Sequence, residues 1–400
     1  MGVAPKTICV YAAALLASCS LTAPHADDTL RAAPEAPGHR VLRVGPREEL
    51  RAPSAAARIA RDGDTVEIEA GVYPADSAVW RAHHLTIRGV GGLAHVRADG
   101  AQAEGKGLWI IKGNDTTLIG IELSGVKVPD NNGAGIRLEG RGLTVRNCYV
   151  HDNENGILTS PNPESDIVIE SSEFAHNGAG DGLTHNLYIG KIRSFTLRYS
   201  YVHHAVSGHD VKSRAMKNTI AYNRIMDERD GKSSYSVEFP NGGLAFVIGN
   251  LIEQGPEGEN FTIVSYGTEG LQHPQNELYF ASNTVVNDRP GQGRFIFVKA
   301  ADVALITNNL FSGPGDVLTG PGELRNNVTG RRSDFVDPSH YDYRLKARSA
   351  AVGRGVDPGS ARGVALRPSE EYVHKAQHRP RSASGKLDAG ALEYRPGDRP

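Results

Sequence analysis

From Val145 to Val328 the chain repeats one six-residue pattern of apolar and polar positions, apolar-x-x-(Asn/Ser/Cys)-x-apolar. Copies begin at Val145, Ile169, Leu197, Ile220, Val247, Phe280 and Ile306, and a degenerate one begins at Leu324. Their fourth positions, Cys148, Ser172, Ser200, Asn223, Asn250, Asn283 and Asn309, lie 23 to 33 residues apart. A phrase returning at near-constant period is the mark of stacked, quasi-identical coils. Alternation within each copy predicts short strands with one inward face. The spacing suits one turn of a right-handed parallel β-helix, in which three strands and three bends make a coil. The predicted fold is therefore all-β, a single-stranded right-handed parallel β-helix, and the Asn or Ser at each repeated bend is expected to form a ladder along the stack. A sandwich would instead want Asn-Gly hairpin turns with no fixed phrase between them.

Ahead of the repeat, residues 48–61 carry helix formers. A short helix there would cap the open end, where the first coil would otherwise expose apolar interior and unpaired strand edges. Gly63 to Tyr73 enters the first strand, and Leu85–Gly89, Leu108–Ile111 and Leu118–Leu123 extend the coils to about ten or eleven. Past Asn327 the pattern breaks, and Asp342–Leu345 with Leu387–Tyr394 are expected to close the far end. The implied organisation is a signal peptide over residues 1–18, a flexible tether over 19–38, the β-helix over 39–345, and a closing segment with tail over 346–400.

The N-terminal apolar run from Ile8 to Ala17, preceded by Lys6, is too short for a permanent span and suits an export signal. Leu16-Ala17-Ser18-Cys19 matches a bacterial lipobox, which makes Cys19 the expected lipidation site and the outer membrane the expected partner. Cleavage after Ala26, giving a periplasmic or secreted product, is the alternative. Cys9 and Cys19 then leave Cys148 without a partner, a small bend residue rather than a catalytic thiol.

Composition narrows the picture in two ways. Only 6% of the 400 residues are aromatic and 39% hydrophobic, enough for a narrow coil interior. The 44 basic and 46 acidic residues give a net charge of −2, so no basic stripe marks a nucleic-acid protein, whereas a polysaccharide partner fits. A monomer is expected.

Equivalent positions of stacked coils sit about 4.8 Å apart, so a site should appear as polar residues recurring at one outward position. Aligning Leu187, Val211, Val237 and Ile263 as inward makes Asn186, Asp210, Ser236 and Thr262 one outward column, and Tyr188, Lys212, Glu238 and Val264 the next. His185 and His209 would stack just before the strand. The predicted group is His185, Asn186, Tyr188, His209, Asp210, Lys212, Arg214, Glu238 and Asn241, walled by long bends at 227–234 and 267–273. Outward Lys, Glu and Asp also form ordinary cross-strand ion pairs worth a few tenths of a kcal/mol, and Lys212 beside Glu238 is such a pair. His203 and His204 read as solvated bend residues.

The Gly63-Asp64-Thr65-Val66 and Gly71-Val72-Tyr73 segment, the Asn-bearing coils, Asp342-Tyr-Arg-Leu345 and Asp388-Ala-Gly-Ala-Leu-Glu-Tyr394 together resemble secreted bacterial β-helix repeat proteins related to pectate lyases. That resemblance spans Val41 to Tyr394 and implies fold more than chemistry, since the scaffold carries lyases, hydrolases, epimerases, esterases and adhesins. Asp210-Val-Lys212-Ser213, followed by Tyr222-Asn-Arg-Ile225, is similar to the Lys-Ser strand of alginate lyases and chondroitinase B. It implies uronate β-elimination with Lys212 as base, Tyr188 or His209 as acid, and Arg214 on the carboxylate. His185, Asn186, Asp210, Glu238 and Asn241 would then bind substrate. Glu238 stands where those lyases carry Arg in the following coil, and their paired Glu calcium ligands before the Lys are absent. Calcium is thus an open expectation. Ser207-Gly208-His209 resembles the turn of polygalacturonases, and Asp181, Asp210 and Glu238 are candidate carboxyls for hydrolysis, although the Asn-Thr-Asp and Asp-Asp motifs are missing. A metal held by His185, His209, Asp210 and Glu238, and a noncatalytic glycan-binding scaffold, complete the alternatives.

Overall fold

The computed structural model describes residues 40–382 and 386–397. Cys19, the export signal and the tether lie outside the described residues. No described helix is long and apolar enough to cross a membrane.

The chain winds into a right-handed parallel β-helix. One wall is a ten-stranded parallel sheet running from Ala78–Trp80 to Asp316–Thr319, each strand one coil beyond the last. Inward Val, Ile, Leu and Phe side chains form one continuous apolar cluster from Leu42 to Phe311. The predicted helix is Pro53–Ile59, with Pro at its first turn and Ala56 buried. It packs on the first strands, as a cap should.

The ladder follows the repeated phrase. Cys148 N–H donates to Ser172 Oγ at 3.2 Å, Ser172 N–H to Ser200 Oγ at 3.2 Å, and Ser200 N–H to Asn223 Oδ1 at 2.9 Å. From there Asn223, Asn250, Asn283 and Asn309 each donate a side-chain amide N–H to the Oδ1 of the next rung at 2.9–3.1 Å, ending at Asn327. The residue before each rung is left-handed, as at Asn147, Ser171, Tyr199, Tyr222, Gly249, Ser282 and Asn308. That single conformation bends the strand and turns the rung inward, where its amide also satisfies a strand carbonyl such as Leu197 O.

The C-terminal segment departs from expectation. Expected to close the far end, it packs along the outside of the barrel. Phe335, Tyr343, Leu345, Tyr372, Ala391 and Leu392 cover Tyr201, Met226, Leu251, Val286 and Leu310. Those outward positions are apolar or aromatic in successive coils, so the wall itself needs a cover. Leu366 packs a neighbouring wall against Phe246 and Tyr279. Fully buried Glu371 fastens the segment, paired with Arg379 at 2.9 Å and Arg395 at 3.0 Å.

Candidate functional site

The expected stack forms on the ten-stranded wall. Leu187 pairs with Val211 and Val211 with Val237, and beside them Tyr188 pairs with Lys212 and Lys212 with Glu238. The fourth coil is shifted by one residue from expectation. Val264, not Ile263, pairs with Val237, and Ser265 rather than Val264 follows Glu238. The extra residue is absorbed before the strand, where Asn260 Oδ1 accepts the Thr262 N–H at 3.1 Å.

His209 rests on His185, ring centroids 4.5 Å apart, with the His209 backbone N–H donating to His185 Nδ1 at 2.9 Å. Gly208 makes this approach possible, because a Cβ there would lie 1.7 Å from Thr184 O. Glu238 is the hub. Its Oε2 lies 3.0 Å from His209 Nδ1, off the line of a straight hydrogen bond, and 3.4 Å from Lys212 Nζ. Its Oε1 accepts the Thr268 hydroxyl at 2.9 Å. Burial pushes this carboxyl up, but His209 and Lys212 outweigh it and hold it at about 2. Burial lowers His209, against the pull of Glu238. It lowers His185 much further, helped by the positive charges of His209, Lys212 and Arg214.

Arg214 closes the group. Its Nε donates to Tyr188 Oη at 3.2 Å, and NH1 donates to Asn241 Oδ1. Two guanidinium nitrogens also hold Glu269, at 2.7 and 3.0 Å. Lys212 Nζ lies 3.7 Å from the same carboxylate. Both cations sit 5.7 Å from the Tyr188 ring. Of the expected residues, His185, Tyr188, His209, Lys212, Arg214, Glu238 and Asn241 therefore converge. Sequence reasoning named the 267–273 bend as a wall but missed that Glu269 and Thr268 reach into the group. Their signal was only a polar bend of unusual length.

Asn186 and Asp210 do not belong to this surface. Both are fully buried, as are Ser236 and Thr262; Asn186, Asp210 and Ser236 lie just ahead of their strands and still belong to the bend. They continue a second buried ladder: Asn153 Nδ2 donates to Asn177 at 3.1 Å, Asn177 Nδ2 to Asn186 at 2.8 Å, and Asn186 Nδ2 to Asp210 at 2.9 Å. Burial, and then Asp227, raise the Asp210 carboxyl well above its ordinary range. Asp181 is spent on a local turn, accepting from Leu183 N–H at 2.8 Å and from the Thr184 hydroxyl at 3.1 Å. The three carboxyls expected for hydrolysis thus do not meet at one surface.

Neither metal expectation is met by these residues. Calcium takes six to eight oxygen ligands, whereas the carboxylates here are engaged by His209, Lys212 and Arg214. His185, His209, Asp210 and Glu238 do not bring three ligand atoms together. Among the described residues two other sets do, His95 with Glu122 and His151, and His176 with His203 and His204. His203 is also not the solvated residue expected, being 7% exposed and stacked on Tyr201 with centroids 3.9 Å apart. Tyr188, Lys212 and Arg214 are half-buried, and His185, His209 and Glu238 are buried. A cavity of about 660 Å³ lies elsewhere, between Arg141, Glu164, Asp166 and Arg193, whose charges already pair with one another across coils.

No family model matches the chain, and no curated protein matches it. Among solved structures, pectate lyase Pel9A superimposes with a TM-score of 0.59 at 13% identity, over 90% of this chain and 98% of that one. Geobacillus virus E2 ORF18 gives 0.46 at 13% identity, over 69% of this chain and 56% of that one. The first likeness bears on the fold alone, and the second carries no argument.

Proposed function

We infer that this β-helix acts on an extended acidic polysaccharide by β-elimination at the wall built from Tyr188, His209, Lys212 and Arg214. One observation carries the reading: Arg214 grips a carboxylate with two nitrogens while Lys212 and the Tyr188 hydroxyl stand beside it. Glu269 occupies that grip from an exposed bend, and a uronate carboxylate would take its place. Bidentate guanidinium–carboxylate pairing then fixes the sugar. Lys212 acts as the neutral amine, its own proton having passed to solvent as substrate displaces Glu269; Nζ then takes the proton from the carbon next to the carboxyl, and the electron pair is held as an enolate against Arg214. The pair forms the new carbon–carbon double bond as the glycosidic oxygen departs, and Tyr188 or His209 gives that oxygen a proton. Glu238, held ionised, orients Lys212 and His209 and is a positioning residue.

A noncatalytic glycan-binding role is favoured by a different observation, that the protein's own carboxylates already neutralise both cations. Incubation with alginate, pectate, glycosaminoglycans and bacterial exopolysaccharides separates the readings. Elimination gives ultraviolet absorbance from an unsaturated product that disappears in Lys212→Ala. Reducing ends without absorbance would point to hydrolysis, and binding without either to a scaffold. Export and anchoring through Cys19 form part of the same proposal. A palmitate analogue should label the wild type and not Cys19→Ala.

A further inference from the structure

The bend that carries His209 begins, at its other end, with a cluster the proposed reaction does not use. Ala175 pairs with His203 in successive coils, so His176 and His204 occupy equivalent positions one coil apart. Both are left-handed at φ +54°. Such a backbone costs a non-glycine residue about 1–2 kcal/mol, and here it folds each imidazole back toward the strand. Ring centroids fall 4.8 Å apart for His176–His204, 4.9 Å for His203–His204 and 5.6 Å for His176–His203. One nitrogen from each ring lies within 4.8 Å of the others.

Hydrogen bonding fixes the tautomers. His203 Nε2 faces Glu173 Oε1 at 3.1 Å, and His204 Nε2 faces Asp230 Oδ1 at 3.2 Å. Carboxylates only accept, so both Nε2 atoms carry the proton and both Nδ1 atoms present lone pairs. Yet the two Nδ1 atoms are 2.7 Å apart. If one donated to the other, its own Nε2 lone pair would be turned against a carboxylate. A cation between the rings relieves the conflict.

We propose that His176, His203 and His204 form a binding site for a divalent transition metal of the zinc class. Imidazole nitrogens select zinc, nickel, cobalt or copper over calcium and magnesium. Carboxylates on the far ring nitrogens, here Glu173 and Asp230, are the usual outer partners of metal-bound histidine. Bonds of about 2.0–2.1 Å to a tetrahedral zinc require the two Nδ1 atoms of His203 and His204 to part by about 0.6 Å, and exposed His176 swings in as the third ligand. The His203 carbonyl also accepts Asn186 Nδ2 at 2.8 Å, and Asn186 holds Asp210, next to His209. The metal would thus pin the bend that presents His209.

The test uses the full chain, stripped with chelator and titrated with Zn²⁺ by calorimetry, with Co²⁺ absorption reporting nitrogen ligation. One equivalent should bind, raising the melting temperature. His204→Ala and His176→Ala should each weaken it at least about tenfold, while His95→Ala, in the other cluster, should not. His176 is exposed, so its variant should melt like the stripped wild type and separate lost ligation from lost folding. No binding to the stripped wild type, or binding undiminished in His176→Ala and His204→Ala, would overturn the proposal.

Discussion

At Gly208 the absence of a side chain has a direct consequence for the wall, since His209 can stack on His185 only if the backbone passes against the Thr184 carbonyl. Gly208→Ala should lift that coil, lower the melting temperature and disturb any activity. Unchanged melting and turnover would show the stack to be incidental. Glu269 is the converse case, an exposed side chain held by the cations it neutralises. Glu269→Gln should tighten binding of an acidic oligosaccharide about three- to tenfold, read by calorimetry, because like charges no longer compete for Arg214. Buried Asp227 governs a pH effect. Burial pushes its carboxyl up to about 6, against hydrogen bonds from Ser233. A folded value above the unfolded one means that its contribution is fully present below about pH 4 and is lost as pH rises through about 6, on the order of 3 kcal/mol. Relative to Asp227→Asn, the wild type should therefore lose stability across that window in denaturant titrations. Parallel pH profiles would contradict this. Tyr188, Lys212 and Glu238 were legible from spacing alone because the strand period puts alternate residues on one face. Asn186 and Asp210 were misread because the residue just before each strand still belongs to the bend, where the period of two no longer applies.

Among the elements, the amide ladder joins coil to coil most directly. Asn283 donates to Val247 O at 2.9 Å and to Asn309 Oδ1 at 3.1 Å, and accepts from Asn250. Asn283→Ala leaves buried partners unsatisfied and should cost about 2 kcal/mol or more, measurable as a lower denaturation midpoint. A smaller loss would mean that water replaces the rung. This ladder was readable because one residue type recurs at a fixed place in a fixed phrase. The second ladder, Asn153–Asn177–Asn186–Asp210, was not, because Asn177 and Asn186 lie in the same coil with a loop between them. The shift at Val264 has the same origin, since a bend can absorb a residue without leaving a mark on the strand pattern.

For the molecule as a whole, the helical stack followed from period, whereas the path of the C-terminal segment did not. The repeat makes interior positions apolar by rule, but Tyr201, Met226, Leu251, Val286 and Leu310 are outward, and only the packed structure shows what covers them. The site is likewise a property of four coils and a bend together, with Glu269 reaching Arg214 across 55 residues of chain. The most direct test is a crystal structure of Lys212→Ala soaked with an acidic oligosaccharide. A uronate carboxylate should be found on Arg214 with Glu269 displaced and the sugar chain lying across Tyr188. Sugar bound on another wall, with Glu269 still on Arg214, would contradict the account.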